Sequence, residues 1–133
     1  MEWVELHLRS YFSFLDGASS PEALAEAAAR LEMRALAITD HGGLYGSVRF
    51  ARACGAVGVR AIHGAEIGIG EGDAPRQVLL VRNRKGWANL CRLLSMGGQT
   101  RDVGDEVLAQ AAIAASMEAR GRRPAGRPAK QAA

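Results

Sequence analysis

Residues 35–43 read Ala35-Leu36-Ala37-Ile38-Thr39-Asp40-His41-Gly42-Gly43. A short apolar run stops at Thr39. A carboxylate and an imidazole follow at once, and then two glycines. Such a run, bounded by turn residues, predicts a buried strand over 35–39 that delivers Asp40 and His41 to a loop. Strand carboxyl ends are where α/β sheets and barrels keep their sites, so the flanking sequence is read for what converges there.

On the amino-terminal side, residues 3–9 alternate with period two. Val4, Leu6 and Leu8 face one way, and Glu5, His7 and Arg9 the other, as in a half-buried strand. Residues 11–17 form an aromatic loop ending at the Asp16-Gly17 turn. Ser19-Ser20-Pro21-Glu22 opens a helix: serine caps, proline suits the first helical position, and Glu22 complements the dipole. That helix runs to Glu32 with Leu24, Ala27, Ala28 and Leu31 on one stripe.

On the carboxyl side, Gly42, Gly43 and Gly46 lead into a helix over 47–54, with Val48, Ala51 and Arg52 at helical spacing. Val59 to Ile62 predicts a third strand, carried on through His63-Gly64-Ala65-Glu66 to Ile67 and Ile69. Residues 71–75 make a turn, and Val78 to Val81 a fourth strand. Residues 85–95 make a helix with Trp87, Leu90, Cys91 and Leu94 on one face. The order β-α-β-α-β-β-α predicts an α/β fold with a parallel, helix-covered sheet. Residues 1–99 form the folded unit. Residues 100–119 read as an alanine-rich helix and 120–133 as a disordered basic tail.

A chain of 133 residues allows one domain, and 48% hydrophobic content is enough to bury a core. Only 5% is aromatic, so that core is built from Leu, Val, Ile and Ala. The net charge of +3 is uneven. Arg120, Arg122, Arg123, Arg127 and Lys130 are five of the 17 basic residues. Residues 1–119 therefore hold 12 basic against 14 acidic side chains, a net of −2. The high pI belongs to the tail. Cys54 and Cys91 have no CxxC spacing and read as reduced thiols of a cytoplasmic protein. No signal peptide is recognisable, and no apolar run approaches the ~18 residues of a membrane span.

Ligand-capable side chains gather where the strands end: His7 and Arg9, Asp16, Asp40 and His41, His63 and Glu66. Imidazoles and carboxylates mixed on one rim have the composition of a metal site. Each also has a plainer reading. His63 packs or faces solvent, Asp40 caps a helix, and Asp16 is a turn residue before glycine. Spacing alone leaves both readings open.

Thr39-Asp40-His41-Gly42 followed by Leu44-Tyr45-Gly46 resembles the second motif of the PHP (polymerase and histidinol phosphatase) family. Glu5 to Ser10, Phe12 to Ser19 and Gly64-Ala65-Glu66 resemble the amino-terminal PHP domain of bacterial DNA polymerase III alpha subunits, the error-prone type in particular. Val78 to Asn83 and Gly86 to Leu94 extend the likeness, which covers about residues 3–97. The resemblance implies the first part of a distorted (β/α)7 barrel, with metal ions at the strand carboxyl ends. It places His7, Asp16, His41 and Glu66 at ligand positions for zinc or manganese, with Asp40 behind the rim.

Two residues depart from that pattern. Arg9 stands where the family's His-x-His motif has its second histidine, and Arg76 where many relatives have another. A guanidinium has no lone pair to give and repels a cation. The later ligands of the family come from strands this chain does not contain. The expectation is a degenerate site that holds metal weakly or not at all, with the arginines replacing the metal charge against Glu66 and Asp16. The alternative is that Arg9 and Arg76 are ordinary surface residues.

The implied function is that of a PHP-domain fragment of an error-prone polymerase, a nucleotidyltransferase of DNA replication, lesion bypass and repair. The chain itself would lack polymerase and phosphoesterase activity. Its partners would be the remainder of an alpha subunit or other replication and repair proteins. The rival readings are a small metal-dependent phosphoesterase and a non-catalytic interaction module. In the tail, Gly126-Arg127-Pro128 resembles an AT-hook core. Arg122, Arg123, Arg127 and Lys130 would add salt-dependent DNA contact.

Overall fold

The computed structural model describes residues 3–68 and 76–99. The helix expected over 100–119, the basic tail and the turn at 71–75 lie outside the described residues. The elements are β1 (Glu5–Leu8), α1 (Pro21–Arg30), β2 (Ala35–His41), α2 (Ser47–Val57), β3 (Arg60–Gly68), β4 (Arg76–Leu80) and α3 (Arg84–Gln99). Among the described residues the strands form one curled sheet in the order β1-β2-β3-β4, half of a barrel.

β1, β2 and β3 run parallel, while β4 pairs antiparallel with β3. The sequence expectation of a parallel sheet is corrected at that last strand. Only residues 69–75 join β3 to β4, too few for the crossover that a parallel neighbour needs. β4 therefore enters the sheet from the end at which β3 leaves it. Its first residue, Arg76, pairs with Gly68 just beyond the candidate site residue Glu66.

The core lies between the sheet and the first two helices. Leu36 and Ile38 of β2 meet Ala25 and Ala28 of α1, Phe50 and Cys54 of α2, and Val59. Burial pushes the Cys54 thiol above its ordinary value, so it stays neutral. Ser20 caps α1 by accepting from the Ala23 amide at 3.1 Å, with Pro21 next to it, as the sequence predicts.

The buried stripes are turned from their expected positions. In α1 they are Pro21, Ala25 and Ala28, while Leu31 is 67% exposed. In α2 they are Ser47, Phe50 and Cys54, and Val48 faces solvent. Phe50 decides α2: it is the largest fully buried side chain among the described residues, and its burial fixes which side of the helix turns inward. β1 is an edge strand, and its alternation is only partly used: Leu8 packs on the core, Leu6 does not.

Gly64 marks the tightest passage in the sheet. A methyl group there would lie 2.9 Å from Leu80 Cδ2 and 3.0 Å from Thr39 Cγ2, and would collide with the carbonyl oxygen of Leu79. Gly64→Val is therefore expected to destabilise the chain by about 3 kcal/mol, read as a lower urea midpoint at unchanged slope.

Candidate functional site

β2 and β3 are in register through their carboxyl ends, with His41 opposite Glu66, so both side chains stand on the same face at the same height. β1 brings His7 to that face. Arg9 follows just past the strand end, the β1–α1 loop supplies Asp16, and β4 supplies Arg76. All six polar side chains meet. His7 Nε2 lies 2.6 Å from Glu66 Oε2. Arg9 donates to the same oxygen through Nη2 at 2.8 Å and Nε at 3.2 Å, and its Nη1 is 3.2 Å from Asp16 Oδ2. His41 Nε2 is 2.5 Å from Asp16 Oδ2, and its Nδ1 is 3.5 Å from Glu66 Oε1.

Arg76 stands further off. Its Nη1 is 3.5 Å from Glu66 Oε1 and 3.7 Å from Asp16 Oδ2, and it lies 3.2 Å from His41 Nε2. The last contact is not a hydrogen bond if His41 donates to Asp16, because one ring nitrogen cannot donate and accept along two such lines at once.

The electrostatics follow from this packing. Burial pushes the Glu66 carboxyl up, but the bonds from His7 and Arg9, with the charges of Arg9 and His41, outweigh it and hold the group at about 2. The Glu66 side chain is 1% exposed, so its charge is sustained by these partners and not by water. Asp16 is held below the usual carboxylate range, first by its bond from His41 and then by the charges of Arg9, His41 and Arg76.

Behind the rim is a polar knot. Asp40 is 2% exposed and accepts three hydrogen bonds: Ser10 N–H at 2.7 Å, Ser10 Oγ at 2.8 Å and Ser13 Oγ at 2.7 Å. Ser13 Oγ in turn accepts from the His41 amide at 3.1 Å. Asp40 is thus no helix cap. It ties the β1–α1 loop to the end of β2 and sets Asp16 opposite His41. Gly17 lets the loop close, since any side chain there would run into the carbonyl of Ser10. A second clamp lies outside: Arg49 of α2 makes two bonds to Glu22, at 2.8 and 3.0 Å, and donates to the Tyr11 hydroxyl.

Sequence reasoning missed Ser10, Ser13 and Arg49. The Ser-x-x-Ser spacing ahead of an Asp-His strand end was the available signal for the first two. His63, placed near the rim by sequence, belongs elsewhere. It is register-paired with core residue Ile38, so its side chain joins the helix-covered face, away from Glu66.

The side chains as arranged do not fit a metal ion. Among the described residues no group of three or more His, Cys, Asp or Glu side chains is placed to hold one. His7 and His41 each point Nε2 at a carboxylate oxygen, which requires a hydrogen where a ligand would need a lone pair. Arg9 already sets a fixed cation between Glu66 and Asp16. The arrangement is a closed ion-pair network in which positive side chains answer both carboxylates.

A family model for the PHP domain matches residues 5–121, and the chain belongs to that family. Several error-prone DNA polymerases are similar to the chain. The chain is 48% identical over 101 residues to an error-prone DNA polymerase of Mycolicibacterium paratuberculosis, covering 70% of this chain and 9% of that protein. It is 46% identical over 101 residues to one of Mycobacterium tuberculosis H37Rv, with the same coverage. It is 45% identical over 105 residues to one of Alkalilimnicola ehrlichii, covering 79% and 10%. The chain thus spans about a tenth of the length of these relatives, whose corresponding regions are parts of much larger proteins.

Two solved structures share the fold. An amidohydrolase from Chromobacterium violaceum, with bound sulfate and no metal, superposes with a TM-score of 0.54 at 28% identity, covering 68% of this chain and 32% of that one. A candidate metal-dependent phosphoesterase from Bifidobacterium adolescentis superposes with a TM-score of 0.55 at 23% identity, covering 83% and 43%. The four-stranded half-barrel thus resembles part of the PHP- and amidohydrolase-type barrels of these neighbours.

Proposed function

We propose that the chain is the PHP module of an error-prone DNA polymerase alpha subunit, serving replication across lesions and repair from the cytoplasm. In this reading it contributes structure and docking, not phosphoester hydrolysis. One observation carries it: Arg9 bridges Glu66 and Asp16, so the two carboxylates a metal would need are already neutralised by a group that cannot bind one. The cluster then does for the loop and strands what a structural ion would do: it holds them together by charge. The remainder of a polymerase, or other replication and repair proteins, is the partner, and the cations at 122–130 add DNA contact.

The convergence of His7, Asp16, His41 and Glu66 on one rim favours a second reading, a metal-dependent phosphoesterase. Elemental analysis and a generic phosphodiester assay decide between them. The purified chain is expected to hold zinc and manganese far below one ion per molecule and to show no hydrolysis that a chelator abolishes. Stoichiometric metal with chelator-sensitive activity overturns the proposal. Restoring neutral ligands by Arg9→His with Arg76→His is expected to raise zinc affinity by about ten- to a hundredfold, measured by competition with a chelating dye.

A further inference from the structure

His63 lies apart from the rim and has no part in its chemistry. Its ring is held edge-to-face between Phe50 of α2, with centroids 6.2 Å apart, and Trp87 of α3, 5.6 Å away. Its Nδ1 is buried and has no hydrogen-bond partner. Among the described residues α3 has one buried side chain, Leu90, where α1 and α2 have three each. The contact between Trp87 and His63 is one point at which α3 meets the sheet.

The groups around the ring offer a proton no counter-charge. From α2 come Phe50 and, one turn along, Cys54, whose thiol is kept neutral by burial. From α3 come Trp87 and, one turn along, Cys91; Arg84 and Lys85 at its start are exposed to solvent. From β2 come Ile38 and then Asp40, whose oxygens are taken by Ser10 and Ser13. From β4 comes Leu79, and just beyond it Val81, whose amide donates to the His63 backbone carbonyl, not to the ring.

We propose that protonation of His63 releases α3 from the sheet, making this ring an acid-sensitive latch. A neutral imidazole leaves one buried nitrogen unpaired at modest cost. The imidazolium would add a charged N–H donor at the buried Nδ1, between two aromatic rings that offer it no acceptor atom. Burial accordingly holds the group below its ordinary value. The sign follows. Above pH 6.5 neither the docked nor the released helix binds the proton, and the latch is closed. As pH falls through 6.5, only the released form takes it. Opening should then rise about tenfold per pH unit until the docked ring's own lower value is reached.

The test is hydrogen exchange on the full chain, followed by mass spectrometry between pH 7.5 and 5.0 and corrected for intrinsic rates. In the wild type, protection in α3 is expected to fall about tenfold per pH unit below 6.5 while α1 stays constant. In His63→Phe, α3 protection is expected to be flat with pH. His63→Gln, neutral throughout and close in size, serves if the aromatic variant does not fold. A Trp3→Phe background leaves Trp87 as the sole tryptophan, and its emission, excited selectively, should shift to the red over the same range. Three results overturn the latch: α3 protection independent of pH in the wild type, the same fall in either His63 variant, or loss of protection in α1 and α3 together.

Discussion

Replacing Asp40 by alanine is expected to lower folding stability by about 4 kcal/mol and to free the loop at 10–19 while leaving α2 in place. Asp40 is buried and takes three donors, one of them the Ser10 backbone amide. Removing it strands that amide and two buried hydroxyls, and each unpaired buried donor costs about 1–3 kcal/mol. The loss also reaches the rim, because the same loop carries Asp16 to His41. Asp40→Asn, which can still accept from Ser10 N–H and Ser13 Oγ, should cost about half as much. Urea unfolding gives the magnitude, and exchange at 10–19 gives the location. A change under about 1 kcal/mol for the alanine variant would mean that the Arg49 clamp, not Asp40, holds the loop.

Acid is the second strong perturbation. Glu66 is held at about 2 against an ordinary value of 4.5. A carboxyl depressed on folding contributes stability that is present above its unfolded value and is lost as pH drops through the folded one. The window is therefore from about pH 5 down to about pH 2, and the loss attributable to Glu66 is about 3 kcal/mol. Asp16 adds to it in the same direction. The wild type and Glu66→Gln should differ by this amount at pH 7 and converge near pH 2, measured as urea midpoints across the range. A constant gap at all pH values would assign the Glu66 contribution to packing, not charge. The His63 latch begins to open near pH 6.5, above this window, so the onsets of the two effects separate on one titration.

Much of this architecture was legible in the residues, and the exceptions have physical causes. The strand read over 35–39 was legible because apolar content and an abrupt polar end coincide, but it runs two residues further than expected and takes in Asp40 and His41. α1 was readable because Ser20 and Pro21 punctuate its start. The inward sides of α1 and α2 were not, since an alanine-rich helix has almost the same pattern at two neighbouring rotations. In α1 the choice fell to close packing of Ala25 and Ala28, and in α2 to Phe50. The direction of β4 follows from a connection length, not from its own composition. At the rim, Glu5-Leu6-His7-Leu8-Arg9 fixed which side chains share a face. That Arg9 pairs with Glu66 and Asp16 was expected from the family resemblance and not from any local pattern, since the contact is long-range. Ser10 and Ser13 were overlooked for a similar reason: serine is common in loops, and only the buried Asp40 gives these two their meaning.

The antiparallel entry of β4 carries a kinetic consequence. Arg76 and Glu66 are ten residues apart in the chain, whereas His7 and Glu66 are separated by 59. A short hairpin zips within microseconds, and joining distant segments must first overcome the larger entropy of ring closure. The β3–β4 ribbon should form early in refolding and offer a waiting docking edge. The first strand of the chain would then be the last to arrive, and its arrival would set the rate at which molecules reach the native state.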